Sequence, residues 1–309
     1  MVKKTAASID IGTNSVLLLV AELNNGRITV RDELQHVPRL GKGVDQDKAL
    51  STASCDRVLS VLSSYKSFLM EKYPETLPDV IVTATSAVRD ASNRDQFIKS
   101  VLDLTGWEIR LLSGDEEARA TFTGALTVLP ESDLTRIVLD IGGGSTEIAV
   151  GTNRDLKTAI SVDMGSVRFS ERFLTSDPPK KSQVSALRNE VDRLLSRTTI
   201  PDGAVEIIGV AGTVTSIAAI ELNLKSYDSD RVNGFLLSRD VIANYIQEFT
   251  LITAEEIEQK YSPFLKGRGD VILGGLLILE QFLQGCESES CTVSTGGIRH
   301  GVLIERAQK

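Results

Sequence analysis

Residues 138–150 read VLDIGGGSTEIAV, and residues 8–18 read SIDIGTNSVLL. In both, aliphatic and β-branched residues lead into Asp-Ile-Gly, a small hydroxyl-bearing turn follows, and a second apolar run leaves it. The pattern predicts a strand, a tight turn and a strand: a β-hairpin that presents its turn. Gly12 and Gly142–Gly144 give the turns backbone freedom and room for close approach. The copies are separated by about half the chain, too far for a solenoid and suited to a duplicated domain.

Alternating patterns continue outward from the hairpins. Residues 27–34 predict a third strand. A helix over 52–72 places Val58, Val61, Leu62, Tyr65, Phe68 and Leu69 on one face, and Pro74 ends it. Strand 79–84, helix 93–104 and strand 107–112 complete the first half, and a helix over 114–127 carries the chain into the second. There, strands at 136–141, 145–151 and 156–162 precede helices at 165–174 and 182–197. Strand 205–211 enters a helix over 213–222. Helices at 238–248, 253–259 and 268–284, a strand at 291–294 and a helix from 298 follow, with exposed turns at Pro178-Pro179 and Ser226–Asp230. The repeated order predicts two α/β domains with a cleft between them. The first is expected over 1–120, recovering the last helix at 299–309, and the second over 121–298.

Composition narrows the function. The 309 residues carry 41% hydrophobic and 25% charged side chains, an ordinary globular balance. No run approaches the roughly 20 apolar residues of a membrane span. The opening MVKKTAASIDIGTNSVLLLVAEL imitates a signal peptide, but Asp10 and Asn14 interrupt its apolar run, so it reads as a retained strand pair. Cys55, Cys286 and Cys291 match neither a zinc site nor a disulfide framework, which points to a reducing cytoplasm. The net charge of −8 argues against broad attraction to nucleic acid. A polyanionic substrate would have to be held locally. Lys42, Arg168, Lys266, Arg268 and Arg299 are candidates, each also explicable as a solvated surface charge.

Five stretches could carry chemistry. In Asp140–Glu147, successive glycines let main-chain N–H groups converge on one oxyanion, Ser145 and Thr146 add donors, and Asp140 and Glu147 flank the cradle with hard carboxylates suited to Mg²⁺. Three glycines exceed what an ordinary hairpin turn needs. Asp10–Ser15 repeats the logic with less glycine. Gly209–Ser216 leaves a strand and enters a helix, so Gly212 and Thr213 could hold a phosphate, although capping by Thr213 or Thr215 explains them equally well. Ser113–Arg119 sets acids in a first helical turn, a common complement to the helix dipole. Thr83–Asp90 ends a strand, where Arg89 could clamp phosphate oxygens or pair with a nearby acid.

As an ordered set these stretches resemble the exopolyphosphatase and guanosine pentaphosphate phosphohydrolase (Ppx/GppA) family, within the actin, sugar-kinase and heat-shock ATPase superfamily. The resemblance runs through DIGTNSVLLLV, TATSAVRDA, SGDEEAR, DIGGGSTE, DMGSVRFSERF (163–173), GVAGTVTSIA, GDVILGGLLIL (269–279) and STGGIRHGVL (294–303). It implies an α/β fold of two ribonuclease H-like, actin-like domains. It implies Glu117 as general base, Arg89 as the arginine gripping terminal phosphates, and Asp140 and Glu147, with Asp10, as metal-associated acids. Asn14, Ser15, Gly142, Gly143, Gly144, Ser145, Gly212 and Thr213 are the expected phosphate-binding residues. Mg²⁺, with Mn²⁺ as substitute, is the expected cofactor.

Two positions depart from the family. Its Gly-Gly-Thr segment reads Ala211-Gly212-Thr213, and His300 stands where glutamate is frequent. Longer relatives carry a further helical domain with histidine–aspartate motifs, and this chain resembles the short two-domain form. The implied reaction is attack of water on a terminal phosphoryl group of polyphosphate or guanosine pentaphosphate, without a covalent phosphoenzyme. The expected partners are polyphosphate or guanosine penta- or tetraphosphate, with no nucleic acid, no membrane and a homodimer left open. A kinase or ATPase of the superfamily, a non-catalytic sensor of guanosine tetra- and pentaphosphate, and an actin-like filament protein are the alternatives. The acids at 116–117 and the Arg89 segment favour the hydrolase.

Overall fold

A computed structural model of the chain describes residues 4–24, 26–153, 155–198 and 205–308. Residues 1–3 and 309, which end the segments predicted for the first domain, lie outside the described residues. The chain divides into two compact units, Met1–Thr127 with Gly296–Lys309, and Val128–Thr295.

In the first unit, β1 (Lys4–Ile11), β2 (Val16–Asn24) and β3 (Arg27–His36) form an antiparallel meander, and β4 (Val80–Ala84) and β5 (Ile109–Leu111) extend it in parallel. The sheet order is β3-β2-β1-β4-β5. Helices α1 (Val44–Asp47), α2 (Thr52–Lys72), α3 (Ser86–Asp90), α4 (Arg94–Thr105) and α5 (Gly114–Thr127) connect or cover the strands. Ser51 caps α2, its side chain accepting from the Ser54 amide at 3.2 Å. Val58, Leu62, Tyr65 and Leu69 then recur at helical spacing and pack into one core with Ile9, Ile11, Leu18 and Val20. Val61 and Phe68, predicted on the same face, border this core and are only partly buried.

The second unit repeats the plan. Strands β6 (Thr135–Ile141), β7 (Thr146–Gly151) and β8 (Leu156–Val162) form the meander, and β9 (Val205–Val210) lies parallel to β6. With β10 (Leu236–Ser238) and β11 (Ser290–Val293) the order is β10-β11-β9-β6-β7-β8. Its helices are α6 (Ser166–Phe173), α7 (Lys181–Leu195), α8 (Ala211–Glu221), α9 (Ser229–Val232), α10 (Arg239–Phe249), α11 (Ala254–Lys260) and α12 (Ile272–Gly285). Residues 272–279 of α12 are buried on every side, as an all-apolar helix must be. Four short elements, α1, α3, α9 and β10, were not legible in the sequence, because three to five residues carry no measurable periodicity.

The last helix, α13 (Ile298–Ala307), belongs to the first unit, where Leu303 packs with Ala6, Leu19, Ala21 and Leu23. Helix α5 stays in that unit along its whole length instead of leading out of it. Close backbone packing holds it there. A Cβ on Gly124 would lie 2.0 Å from the Gly297 carbonyl oxygen, and one on Gly301 would lie 2.0 Å from that of Ala120. Because neighbouring backbone is what such a methyl would meet, Gly124→Ala should destabilise the chain by about 1–3 kcal/mol, as overpacking does. Urea denaturation checks this, and an unchanged midpoint would contradict the close packing.

Candidate active site

In the first unit, the turn between β1 and β2 is four residues long, with Ile11 paired to Val16. The Gly12 amide donates to the Ser15 carbonyl at 3.0 Å, closing the turn. A distant segment holds its outer edge, for the Gly41 amide donates to Thr13 O at 2.8 Å and the Arg39 amide to Asn14 O at 3.0 Å. Gly41 has to be glycine, since its Cβ would lie 2.2 Å from Thr13 Cγ2. Thr13 Oγ1 also bonds Ser86 Oγ at 3.0 Å, tying the turn to α3. Asp10 is 9% exposed and accepts from Thr83 Oγ1 at 3.2 Å. Asn14 Oδ1 is a buried acceptor with no hydrogen-bond partner among the described residues.

Helix α3 sets Arg89 in its last turn, and α5 sets Glu117 in its first. These two predicted residues meet. Arg89 Nη1 donates to Glu117 Oε2 at 3.0 Å and to Leu112 O at 2.9 Å, and Glu117 is only 5% exposed. The neighbouring acid has a different task. Glu116 Oε2 accepts from the Ser113 amide at 2.9 Å and from Ser113 Oγ at 3.0 Å, while the Glu116 amide donates back to Ser113 Oγ at 3.3 Å. This reciprocal cap satisfies donors at the start of α5. The Ser113 amide, then Arg110, hold the Glu116 carboxyl below its ordinary range.

In the second unit the same four-residue turn joins β6 to β7, with Ile141 paired to Thr146 and Asp140 to Glu147. Register therefore sets the two carboxylates opposite one another on one face of the sheet. Asp140 is 7% exposed and Glu147 1%, and Glu147 Oε1 accepts from Ser161 Oγ at 2.6 Å. Opposed like charges destabilise a strand pair, and burial makes them costlier still. This donor set fits a hard divalent cation, which Mg²⁺ satisfies with one or two carboxylates plus water and phosphate oxygens. Among the described residues no group of three or more His, Cys, Asp or Glu side chains could hold a metal ion. In the first unit, Asp10 pairs with Leu17 rather than with a second acid.

The third predicted segment begins α8. Ala211 adopts φ 69°, a left-handed conformation that glycine takes without strain, so the departure from Gly-Gly-Thr falls where a Cβ is least welcome. Over the next residue lies Arg268, whose Nη1 would stand 1.6 Å from a Cβ on Gly212. Burial draws the Arg268 guanidinium below its ordinary range. The Thr213 hydroxyl lies against Gly275 of α12, where a Cβ would come within 2.3 Å of it.

Of the basic residues considered as substrate contacts, Arg299 donates to Leu18 O at 3.0 Å and pairs with Glu33 at 3.2 Å, a structural role. Arg168 is 7% exposed and donates from Nε to Gly144 O at 2.5 Å, so it is not a solvated surface charge. The sequence reasoning missed Arg39 and Gly41. The Leu40-Gly41 pair between basic residues was a signal of close backbone approach, but nothing in it named the turn as the partner.

Residues 19–309 match the model of the Ppx/GppA phosphatase family. The chain belongs to that family. Exopolyphosphatase 2 of Mycobacterium tuberculosis is 33% identical over 97% of this chain and 98% of its own. A bifunctional 3-dehydroquinate synthase/phosphatase of Fusobacterium nucleatum is also 33% identical, and the chain spans about half of that relative, 46% of its length. Among solved structures, the Ppx/GppA family member of Aquifex aeolicus has a TM-score of 0.80 at 30% identity, covering 98% of this chain and 97% of that one. An exopolyphosphatase of Cytophaga hutchinsonii reaches 0.88 at 25% identity, covering 98% of both. The two-domain, actin-like α/β fold expected from the Ppx/GppA resemblance is thereby established.

His300, the second departure from the family, is 3% exposed, and its Nδ1 has no hydrogen-bond partner among the described residues. Burial, with Arg299 adding to it, pushes its pKa down from 6.5 to about 3. Between those values the unfolded chain holds a proton that the folded one refuses, so stability is lost as pH falls through that window. The unfolding free energy should decline by up to about 1.4 kcal/mol per pH unit from this group. Denaturation of the wild type and of His300→Gln at pH 7 and pH 5 checks it. The wild type should lose more stability than the variant, and equal losses would contradict a neutral His300.

Proposed function

We propose that this Ppx/GppA family member is a Mg²⁺-dependent phosphoanhydride hydrolase that releases terminal phosphate from inorganic polyphosphate, from guanosine pentaphosphate, or from both. The observation that carries the reading is the buried Glu117 carboxylate, held by Arg89 at 3.0 Å while Glu116 is spent on the helix cap. A carboxylate fixed in one orientation and separated from the capping role is what a general base requires. The names of relatives support the substrate class: Exopolyphosphatase 2 of Mycobacterium tuberculosis, and a guanosine-5'-triphosphate,3'-diphosphate pyrophosphatase of Vibrio atlanticus that is 28% identical over 97% of this chain.

In this reading Glu117 orients the attacking water and accepts its proton. Arg89 fixes the Glu117 carboxylate through Nη1 and leaves the remaining edge of its guanidinium to phosphate oxygens. The turns at 12–15 and 142–145 hold phosphates with main-chain amides, supplemented by Asn14, Ser15 and Ser145. Gly212 and Thr213 contribute amides at the start of α8. Asp140 and Glu147 would hold the cation, for which Mn²⁺ is a substitute, and Asp10 is the corresponding acid beside the first unit's turn. The bound cation supplies charge neutralisation for the phosphate oxygens. No described helix is long and apolar enough to cross a membrane, and all three cysteines are free, which supports placing the protein in the cytoplasm.

Phosphate release from a panel of polyphosphates and guanosine pentaphosphate, with and without Mg²⁺, tests the reading, and no release from any of them would overturn it. Glu117→Gln keeps shape but cannot take a proton, so kcat should fall by roughly 10²–10⁴ with substrate binding largely kept. A near-normal kcat would remove Glu117 from the base role. Asp140→Asn and Glu147→Gln should raise the Mg²⁺ concentration needed for half-maximal activity and lower the maximum, since a hard cation prefers charged oxygens. Full wild-type activity in excess chelator would eliminate the metal.

A further inference from the structure

The turn at 142–145 contains three glycines, and a glycine-rich backbone does not hold one orientation of its peptide planes unaided. Here each carbonyl of the run is tied to α6. Gly142 O accepts from the Ser166 amide at 2.9 Å and Ser166 Oγ at 3.2 Å. Gly143 O accepts from the amides of Val167 at 2.9 Å and Arg168 at 3.0 Å. Gly144 O is served by a side chain, Arg168 Nε, at 2.5 Å. The approach requires Gly165, whose Cβ would stand 2.4 Å from both the carbonyl carbon and the carbonyl oxygen of Gly143. The first amides of α6 are therefore engaged by the turn, and α6 presents no anion site of its own.

In a trans peptide the C=O and the following N–H point in opposite directions. With three successive carbonyls drawn toward α6, the amides of Gly143, Gly144 and Ser145 point to its other side. Two of these orientations are fixed by helix amides. The third, that of the Gly144–Ser145 peptide, depends on Arg168. We propose that Arg168 is a positioning residue that holds the Ser145 amide toward a phosphate oxyanion and so completes the cradle. The proposal rests on the phosphate-hydrolase reading above, and it gives a buried arginine a role beyond packing. Without the Arg168 donor, Gly144 O loses its partner and its peptide plane can rotate, turning the Ser145 amide away.

Arg168→Met keeps an unbranched stem as far as the Nε position and removes the donors. Inorganic phosphate titrated into the ¹⁵N-labelled full chain should shift the amide signals of Gly143, Gly144 and Ser145 in the wild type. In R168M the Ser145 response should shrink at least several-fold while that of Gly143 persists, and kcat/KM should fall about 100-fold, the lower end of what removal of one preorganised donor costs. Arg136→Met controls for stability. Arg136 is 2% exposed and held by Glu206 at 2.7 Å, so its loss should weaken the fold and leave the Ser145 response intact. An unchanged Ser145 response in R168M, an equal reduction in R136M, or a wild type whose three amides ignore phosphate would overturn the proposal. If R168M does not fold, Arg168→Leu, which also lacks a donor, carries the same comparison. A wild type that hydrolyses nothing in the substrate panel would defeat the functional reading instead, and the phosphate titration would still decide the positioning role.

Discussion

Two four-residue turns set the register of their hairpins, and register decides which side chains meet. Ile11 pairs with Val16 and Ile141 with Thr146, so Asp10 and Asp140 occupy equivalent places one step back from each turn. A slip of one residue would send every side chain of the strand to the other face. At the shared position the two units then diverge. Asp140 looks across at Glu147, whereas Asp10 looks across at Leu17. The duplicated scaffold thus concentrates paired carboxylates in the second unit, and the Arg89–Glu117 pair in the first.

Both turns are held through their carbonyls, by different means. In the first unit a loop does it, through the amides of Arg39 and Gly41, with Thr13 and Ser86 joining hydroxyls behind it. In the second a helix start does it, and because α6 delivers several amides at once the turn can carry two more glycines. More glycine means closer approach for an oxyanion but more backbone freedom to restrain. The extra anchors on Gly142, Gly143 and Gly144 are the restraint.

Much of this was legible in the sequence. Strand alternation and the repeated Asp-Ile-Gly located both hairpins, and helical periodicity located the long helices, α2 within a residue at each end. The Asp140 and Glu147 pair could be read because hairpin register follows from a short turn. What stayed hidden depends on contacts distant in sequence. Glu116 and Glu117 look alike until the Ser113 hydroxyl claims one and Arg89 the other. Arg168 looks like a surface charge until its Nε reaches Gly144 O. Helix α5 gave no sign of where it belonged, because what places it is the absence of side chains at Gly124 and Gly301.

That absence bears on the chemistry. Glu117 sits in the first turn of α5, so its place is set by whatever fixes α5 along and about its axis. Arg110 bridges Glu116 at 3.2 Å and Glu305 of α13 at 2.9 Å, but these side chains are about half exposed, and such pairs contribute only about 0–1 kcal/mol. Packing is the stronger determinant. Gly124 against Gly297 and Gly301 against Ala120 bring the two backbones into contact at two levels, leaving no space for sliding or rotation. Ile298 and Val302 of α13 then close over Leu112, whose carbonyl is the second acceptor of Arg89. The final helix of the chain thereby positions both members of the Arg89–Glu117 pair, although it contributes no group to it.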